Sequence, residues 1–467
     1  MLDLLANLSE ILAGIAIVIA AARAWPLLGA MNRNLITRRR RRGGVGNDLR
    51  RLSAGLEREL DVPNPRFSTL QQAREGLMLI LADAHATNLH MQLGGLDPEH
   101  PGTVKVRVEG DLVTICRLSA DAYVRLIDEF KDWAGMSAEL SWGRARGAGS
   151  FAGREYSVLI RLAESVHGPA MTAHLLDTAV AELPVAALGM PSRTWQMIEP
   201  LLDVERGGLA VFAGLSGSGK TVSLYTSMNQ LDPVRCNVVT VEDPVELLRP
   251  GVTQIEVDSP RLGLTEAFSL ARNMDPDVLM VGELRPDTVR MVLRSYYDGC
   301  LTLTTAPSRS VLATLAYLDS YSQVGIRELI FPMVIVAQRL MRGLCVECRE
   351  PTELDEDDIR FVNQVLDESA CTWDDIGATF FVAHGCRKCE GGHEGRIACY
   401  EAMQVDFEIL DSVRSNRNPR KQLEYAVGRG FEPMQFHALR IAAQGEVSLA
   451  EVRRVVTGLR TASGTYT

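Results

Sequence analysis

Three patterns of apolar and polar positions follow one another along the chain. The first is "ILAGIAIVIAAA", residues 11–22, which is apolar around its whole circumference and extends through "RAWPLLGAM" to Met31 with one charge, Arg23. About twenty-one helical residues span roughly 30 Å, one hydrocarbon core. The second pattern mixes periods. "FSTLQQAREGLMLILADA" has helical spacing, and "TVKVRVEGDLVTICRL" alternates on both sides of a turn at Glu109-Gly110-Asp111, which predicts a hairpin. The third begins near Gly207. Short apolar runs, "LAVFAG", "NVVTVED", "VLMVGE" and "LTLTT", alternate with helical stretches such as "TVSLYTSMNQ" and "DTVRMVLRSYYDG". Buried strands alternating with helices predict a mostly parallel sheet and an α/β fold.

These patterns divide the chain into a membrane-anchor helix over 1–31, a basic flexible linker over 32–65 and an α+β domain over 66–180. An α/β core follows over 192–342, then a cysteine-bearing segment over 343–400 and C-terminal helices over 401–467. The linker carries "RRRRR", Arg38 to Arg42, which places the C-terminal side in the cytoplasm if residues 11–31 span a bilayer. Asp3 and Glu10 stand where a cleavable signal peptide has basic residues. A helix lying flat on the membrane, or one buried against a partner, stays open as an alternative. The net charge of −10 argues against a nucleic-acid partner. Nine cysteines are too few for a secreted disulfide scaffold in 467 residues, so the bulk of the chain reads as cytoplasmic.

The chemistry concentrates at "GLSGSGKT", Gly214 to Thr221. The stretch follows an apolar run and opens a helical pattern, the setting of a phosphate-binding loop. Gly214, Ser216, Gly217, Ser218, Gly219, Lys220, Thr221 and Val222 are the expected nucleotide-binding residues. Backbone N–H groups wrap the phosphates, Lys220 reaches the β- and γ-phosphates, and the Thr221 hydroxyl takes a place on Mg²⁺. Two further strands end in acids: "NVVTVEDP" delivers Glu242 and Asp243, and "VLMVGE" delivers Glu283. Ligands of an open parallel sheet sit at the carboxyl ends of its strands, so Glu242 and Glu283 are the expected catalytic pair. Asp243, before Pro244, also suits a turn. "CVEC" and "CRKC" supply Cys345, Cys348, Cys386 and Cys389, the thiolate set of a closed tetrahedral Zn²⁺ site. The other five cysteines read as core residues.

"GLSGSGKTVSLY", "NVVTVEDPVE", "DPDVLMVGELR", "VIVAQRLMRGLCVEC" and "GCRKCEGGHEGRIACYEAM" occur in this order. Together with the tail "GFEPMQFHALRIAAQGEVSLAEVRRVVTG" they resemble the type II secretion and type IV pilus assembly ATPases, over roughly residues 66–460. The resemblance implies a RecA-like P-loop ATPase domain behind a smaller α+β, PAS-like domain, with ATP, Mg²⁺ and Zn²⁺ as cofactors. It also implies a homo-hexamer at the bacterial inner membrane. ATP hydrolysis there drives pilin or pseudopilin assembly through a membrane platform protein; lipid as a partner is expected from the apolar N-terminal segment itself. By position, "VEDPVE" matches the acidic box with the catalytic glutamate at Glu242, and "DPDVLMVGE" matches Walker B ending at Glu283.

The chain also departs from the family. Where members carry a histidine box of the form G-H-L-V-x-x-T-L-H-T, this sequence has "GCLTLTTAPS", with Cys300 and Pro307 at the histidine positions. No histidine lies between His174 and His384. Family arginines before Walker B fall on Ser269 and Asn273, with Arg272 displaced by one. The arginine of an L-R-V-S strand falls on Leu159, while Arg161 lies two residues on and so on the same strand face. These departures keep open a ring subunit that binds nucleotide and hydrolyses it weakly; an ATPase of conjugative DNA transfer is a further alternative, against which the acidic charge and the cysteine pairs weigh.

Overall fold

The computed structural model describes residues 67–456, apart from 84–85, 87, 95–100, 109–110, 258–260, 322–325, 327–330, 378, 388, 390 and 417. The expected anchor helix and basic linker lie outside these residues. No helix among the described residues is long and apolar enough to cross a membrane.

The first domain opens with helix α1 (Phe67–Asp83), followed by strands β1 (Asn88–Gln92), β2 (Gly102–Val108) and β3 (Asp111–Leu118). Helix α2 (Ala120–Trp133) and strands β4 (Gly143–Phe151), β5 (Arg154–Ser165) and β6 (Gly168–Asp177) complete it. The strands form one antiparallel sheet in the order β3-β2-β1-β6-β5-β4. The hairpin expected at Glu109-Gly110-Asp111 appears as the β2–β3 pair, closed by Val108 opposite Asp111. Helical spacing buries Leu70, Ala73, Leu77, Met78 and Leu81 of α1 against the sheet. Ser119 caps α2 by accepting from the Ala122 N–H. Between the helices, the buried Arg74 guanidinium donates to Glu129 at 3.1 Å and lies over the Trp133 ring. A buried charge needs such partners to offset its desolvation.

Single turns of 3₁₀ helix at Thr178–Glu182 and Val185–Leu188 and a short helix α3 (Ser192–Ile198) lead to the second domain. Its chain order is β7 (Gly208–Ala213), α4 (Lys220–Met228), β8 (Val238–Glu242), β9 (Thr253–Glu256), α5 (Leu264–Arg272) and β10 (Val278–Val281). Then come α6 (Thr288–Tyr297), β11 (Leu301–Ala306), α7 (Val311–Tyr321) and β12 (Met333–Leu344). The sheet order is β15-β12-β7-β11-β10-β8-β9, parallel throughout except that β15 (His393–Gln404) runs antiparallel to β12. Every residue of β7 is buried. Leu209 and Val211 enter the core on one face of the sheet, Ala210 and Phe212 the core on the other. A strand covered on both faces has to be apolar at every position, which is why these strands read as unbroken apolar runs.

Between β12 and β15 the chain leaves the sheet. It forms the cysteine-bearing excursion with β13 (Arg349–Thr352), α8 (Glu356–Ser369) and β14 (Phe380–Ala383), where β13 and β14 pair. Strand β15 therefore begins inside the segment read from sequence as 343–400 and ends in the seven-stranded sheet. Helices α9 (Phe407–Ser415), α10 (Pro419–Gly428), α11 (Met434–Ala443) and α12 (Leu449–Val456) follow, and most of their apolar positions join the core under one face of the seven-stranded sheet.

Candidate functional site

Strand β7 and helix α4 hold the phosphate loop between them, at the carboxyl end of the parallel sheet where the strand order reverses. The loop folds tightly enough to exclude other side chains. A Cβ on Gly214 would lie 2.1 Å from Ser218 Oγ, and Gly219 enters α4 at φ +87°, a conformation that favours glycine. The first-turn N–H groups of α4 have no acceptor within the helix and are positioned to meet an anion. Lys220 Nζ donates to the Gly214 carbonyl at 2.7 Å and lies 4.0 Å from Glu283 Oε1. Burial pulls the Lys220 pKa down, and the carboxylates of Glu283 and Glu246 oppose this.

The loop opens into a cavity of about 1320 Å³ lined by both domains and by the cysteine-bearing excursion. Ser216, Gly217, Ser218, Gly219, Lys220, Thr221, Val222 and Glu283 all border it. Arg161 lines it from the first domain, on the same face as Leu159, as strand parity predicts. Arg387 lines it from the excursion and Arg396 from β15. Arg272 points elsewhere and pairs with Asp298. The two positions aligned with the histidine box separate along β11: Pro307 borders the cavity, while Cys300 precedes the strand's other end, beside the Pro276 and Asp277 carbonyls.

Glu242, expected as the catalytic carboxylate, is only 4% exposed, and both its oxygens are occupied. Oε2 accepts from the Tyr225 hydroxyl at 2.5 Å; Oε1 accepts from Thr240 at 2.7 Å and Gln254 at 3.2 Å. Burial pushes the Glu242 pKa up, and the hydrogen bonds from Tyr225, Thr240 and Gln254 pull against it. Glu246, four residues on, borders the cavity as Glu242 does, but it is only half-buried and acts electrostatically on Lys220. The sequence contained a signal for this difference. Val239 and Val241 enter one core and Val238 the other, so Glu242 falls on the face covered by α4.

The first domain grips the acidic box that carries these residues. Arg144 pairs with Asp243, and Arg146 with the Val245 carbonyl and, at 2.8 Å, with Glu256. Ser157 donates to the Glu246 carbonyl at 3.2 Å. Arg285 donates to Asp243 at 3.0 Å from the loop after β10. Burial raises the Asp243 pKa, but the two arginines outweigh it and hold the carboxyl below its usual range. Asp243 is therefore an ion-paired contact between domains as well as a turn residue.

The sulfurs of Cys345, Cys348, Cys386 and Cys389 lie within 4.8 Å of one another. Cys348 and Cys389 are 3.6 Å apart, and Cys386 and Cys389 3.5 Å. Four thiolates about 2.3 Å from one ion sit roughly 3.8 Å apart at tetrahedral corners, so the set fits Zn²⁺.

The family model described as "Type II/IV secretion system protein" matches residues 81–454. The type IV pilus assembly ATPase PilB of Acinetobacter baylyi is 32% identical over 299 residues, 63% of this chain and 50% of that protein. The type II secretion system ATPase E of Vibrio cholerae is 29% identical over 310 residues, 65% of this chain and 59% of that protein. The chain thus spans about half the length of the first of these relatives. Among solved structures, the Legionella pneumophila ATPase DotB superposes with a TM-score of 0.54 at 17% identity, over 82% of this chain and 95% of that one. The pilus retraction motor PilT with bound ADP gives 0.54 at 18% identity, over 83% and 96%. Both likenesses concern the fold.

Proposed function

Because this chain belongs to the Type II/IV secretion system protein family, we propose that it is a motor ATPase of a secretion or pilus-assembly machine. The observation that carries this reading is the phosphate loop at the head of α4, with Lys220 4.0 Å from Glu283 in a cavity large enough for a nucleotide. In this reading the loop amides and Lys220 bind the ATP phosphates. Thr221 and Glu283 would hold Mg²⁺, which supplies charge neutralisation at the phosphates. Glu246 orients and deprotonates the attacking water, and Glu242 positions the acidic box from behind. Arg161, Arg387 and Arg396 neutralise negative charge at the cavity wall.

The finer assignments rest on the family resemblance. They are a homo-hexamer, a membrane platform partner and a PAS-like first domain; the inner-membrane location through residues 1–31 and Zn²⁺ on the four cysteines rest instead on the apolar segment with its arginine run and on the paired cysteine spacing. The test is turnover of Mg-ATP by the full chain. Lys220→Ala should abolish nucleotide binding and turnover together. Failure of the folded, metal-loaded wild type to bind Mg-ATP would sink the reading.

A further inference from the structure

The cysteine cluster and the phosphate loop share one cavity. Cys389 borders the same space as Gly219 and Lys220, and so does Arg387. Strand β12 joins the two places. Its Leu340 packs beside the loop, where a Cβ on Gly219 would lie 3.8 Å away. The strand ends at Leu344, and Cys345 follows directly.

Two arginines reach the cavity from this side, and they are held differently. Arg396 lies in β15 opposite Arg342, so the ladder to β12 fixes its backbone. Arg387 sits inside the second knuckle, between Cys386 and Cys389. The stretch from β14 to β15 that carries it has no strand or helix among its described residues. Gly385 on one side and Gly391 and Gly392 on the other all take positive φ, where glycine moves most freely. The contacts that order the knuckle lead to its sulfurs. The Cys386 N–H donates to Cys389 Sγ at 3.2 Å, and Cys389 Sγ lies 3.5 Å from Cys386 Sγ and 3.6 Å from Cys348 Sγ. From the first knuckle, the Cys345 N–H donates to the Gly392 carbonyl at 2.9 Å.

Sulfur hydrogen bonds are weak, whereas a metal on the four sulfurs pins the backbone on both sides of Arg387. A guanidinium is a planar fork of donors suited to phosphate oxygens, and it contributes most when it is already held in place. We infer that Arg387 is a nucleotide-binding residue set at the cavity by the metal of its own knuckle, so that zinc and nucleotide each strengthen the binding of the other. This rests on the ATPase reading of the cavity and on Zn²⁺ at the four cysteines. Coupling between two binding sites is reciprocal, so it can be read from the metal side without measuring turnover.

The test is the zinc affinity of the full chain, measured by competition with a zinc-selective chelator at fixed Mg²⁺, with and without saturating ADP. In wild type, ADP should raise zinc affinity about tenfold. Arg387→Ala should keep the nucleotide-free zinc affinity and lose the rise. Arg396→Ala, which removes a cavity arginine held by the ladder, should weaken ADP binding and leave the rise in place. A metal that serves folding alone would give the same rise in wild type and in Arg387→Ala, and that result overturns the inference. So does wild type that holds zinc and binds ADP with no rise, or loss of the rise in Arg396→Ala as well. Every arm starts from zinc-loaded protein, so the comparison stands even where the metal-free chain unfolds. Wild type that holds zinc but binds no ADP overturns the ATPase reading, and wild type that holds no zinc overturns the metal reading; the inference falls with either.

Discussion

Tyr225 donates its phenolic hydrogen to Glu242 across 2.5 Å, joining the helix after the phosphate loop to the end of strand β8. With Thr240 and Gln254 on its other oxygen, the Glu242 carboxylate is a buried acceptor already held by three donors. The proposed roles separate two glutamates that lie only four residues apart. Glu246→Gln should lower kcat at least about 100-fold with little change in nucleotide affinity, the usual scale for removing a general base. Glu242→Gln should keep turnover within about tenfold but destabilise the domain by about 1–3 kcal/mol, because its amide group faces donors. Steady-state ATPase rates and melting curves of both variants check this. Equal loss of turnover with unchanged melting would return the catalytic role to Glu242.

The two ends of β11 make a second prediction. Six residues of strand place Cys300 and Pro307 roughly 20 Å apart, and only Pro307 borders the cavity. Pro307→His should therefore raise ATP turnover, by about tenfold where the new imidazole reaches the phosphates. Cys300→His should leave the rate unchanged. A rise with Cys300→His alone would contradict this placement.

Much of the architecture could be read from local sequence because buried parallel strands have to be apolar at each position. The phosphate loop was equally legible, since strand, glycines, Lys220 and helix are contiguous. What local sequence could not supply was orientation and distance. The strand-end position of Glu242 is legible in sequence, but its burial under α4 against Tyr225 is set by packing that local sequence does not show. Arg387 reaches the cavity because the excursion after β12 folds back beside the loop, and Arg396 because β15 returns to the sheet there. The grip of Arg144 and Arg146 on the acidic box joins residues about a hundred positions apart, beyond any motif.

The cysteine cluster should hold one zinc ion per chain. Cys386→Ser should lose the metal and lower the melting temperature by roughly 5 °C or more, since binding energy at such a site is folding energy. Metal analysis of reduced, folded protein with and without chelator provides the measurement. A zinc-free wild type with an unaltered melting curve would remove the metal from the reading.

Glu401 makes the pH prediction. Its fully buried carboxyl accepts from the Val311 N–H at 2.7 Å and the Met434 N–H at 3.0 Å, at the starts of α7 and α11. Burial pushes its pKa up to about 7 from 4.5, more than the two N–H groups can recover. A raised carboxyl favours the folded state while protonated. Its contribution is therefore fully present below about pH 4.5 and is lost as pH rises through 7, amounting to about 3 kcal/mol. Between pH 5 and 8, Glu401→Gln should show a flatter fall in melting temperature than wild type. Parallel curves would refute the assignment to Glu401.

The return of β15 to β12 also bears on synthesis. Strand β12 ends at Leu344, yet its outer neighbour begins only at His393, after the whole cysteine-bearing excursion. While those residues emerge from the ribosome, the apolar run Met333 to Ala337 presents an unpaired edge, the arrangement most prone to pairing with another chain. Closing such a long loop costs little more than closing a short one, so the delay is one of translation time and not of equilibrium. A metal-clipped excursion that folds early would draw the two strand ends together and shorten the exposure of that edge.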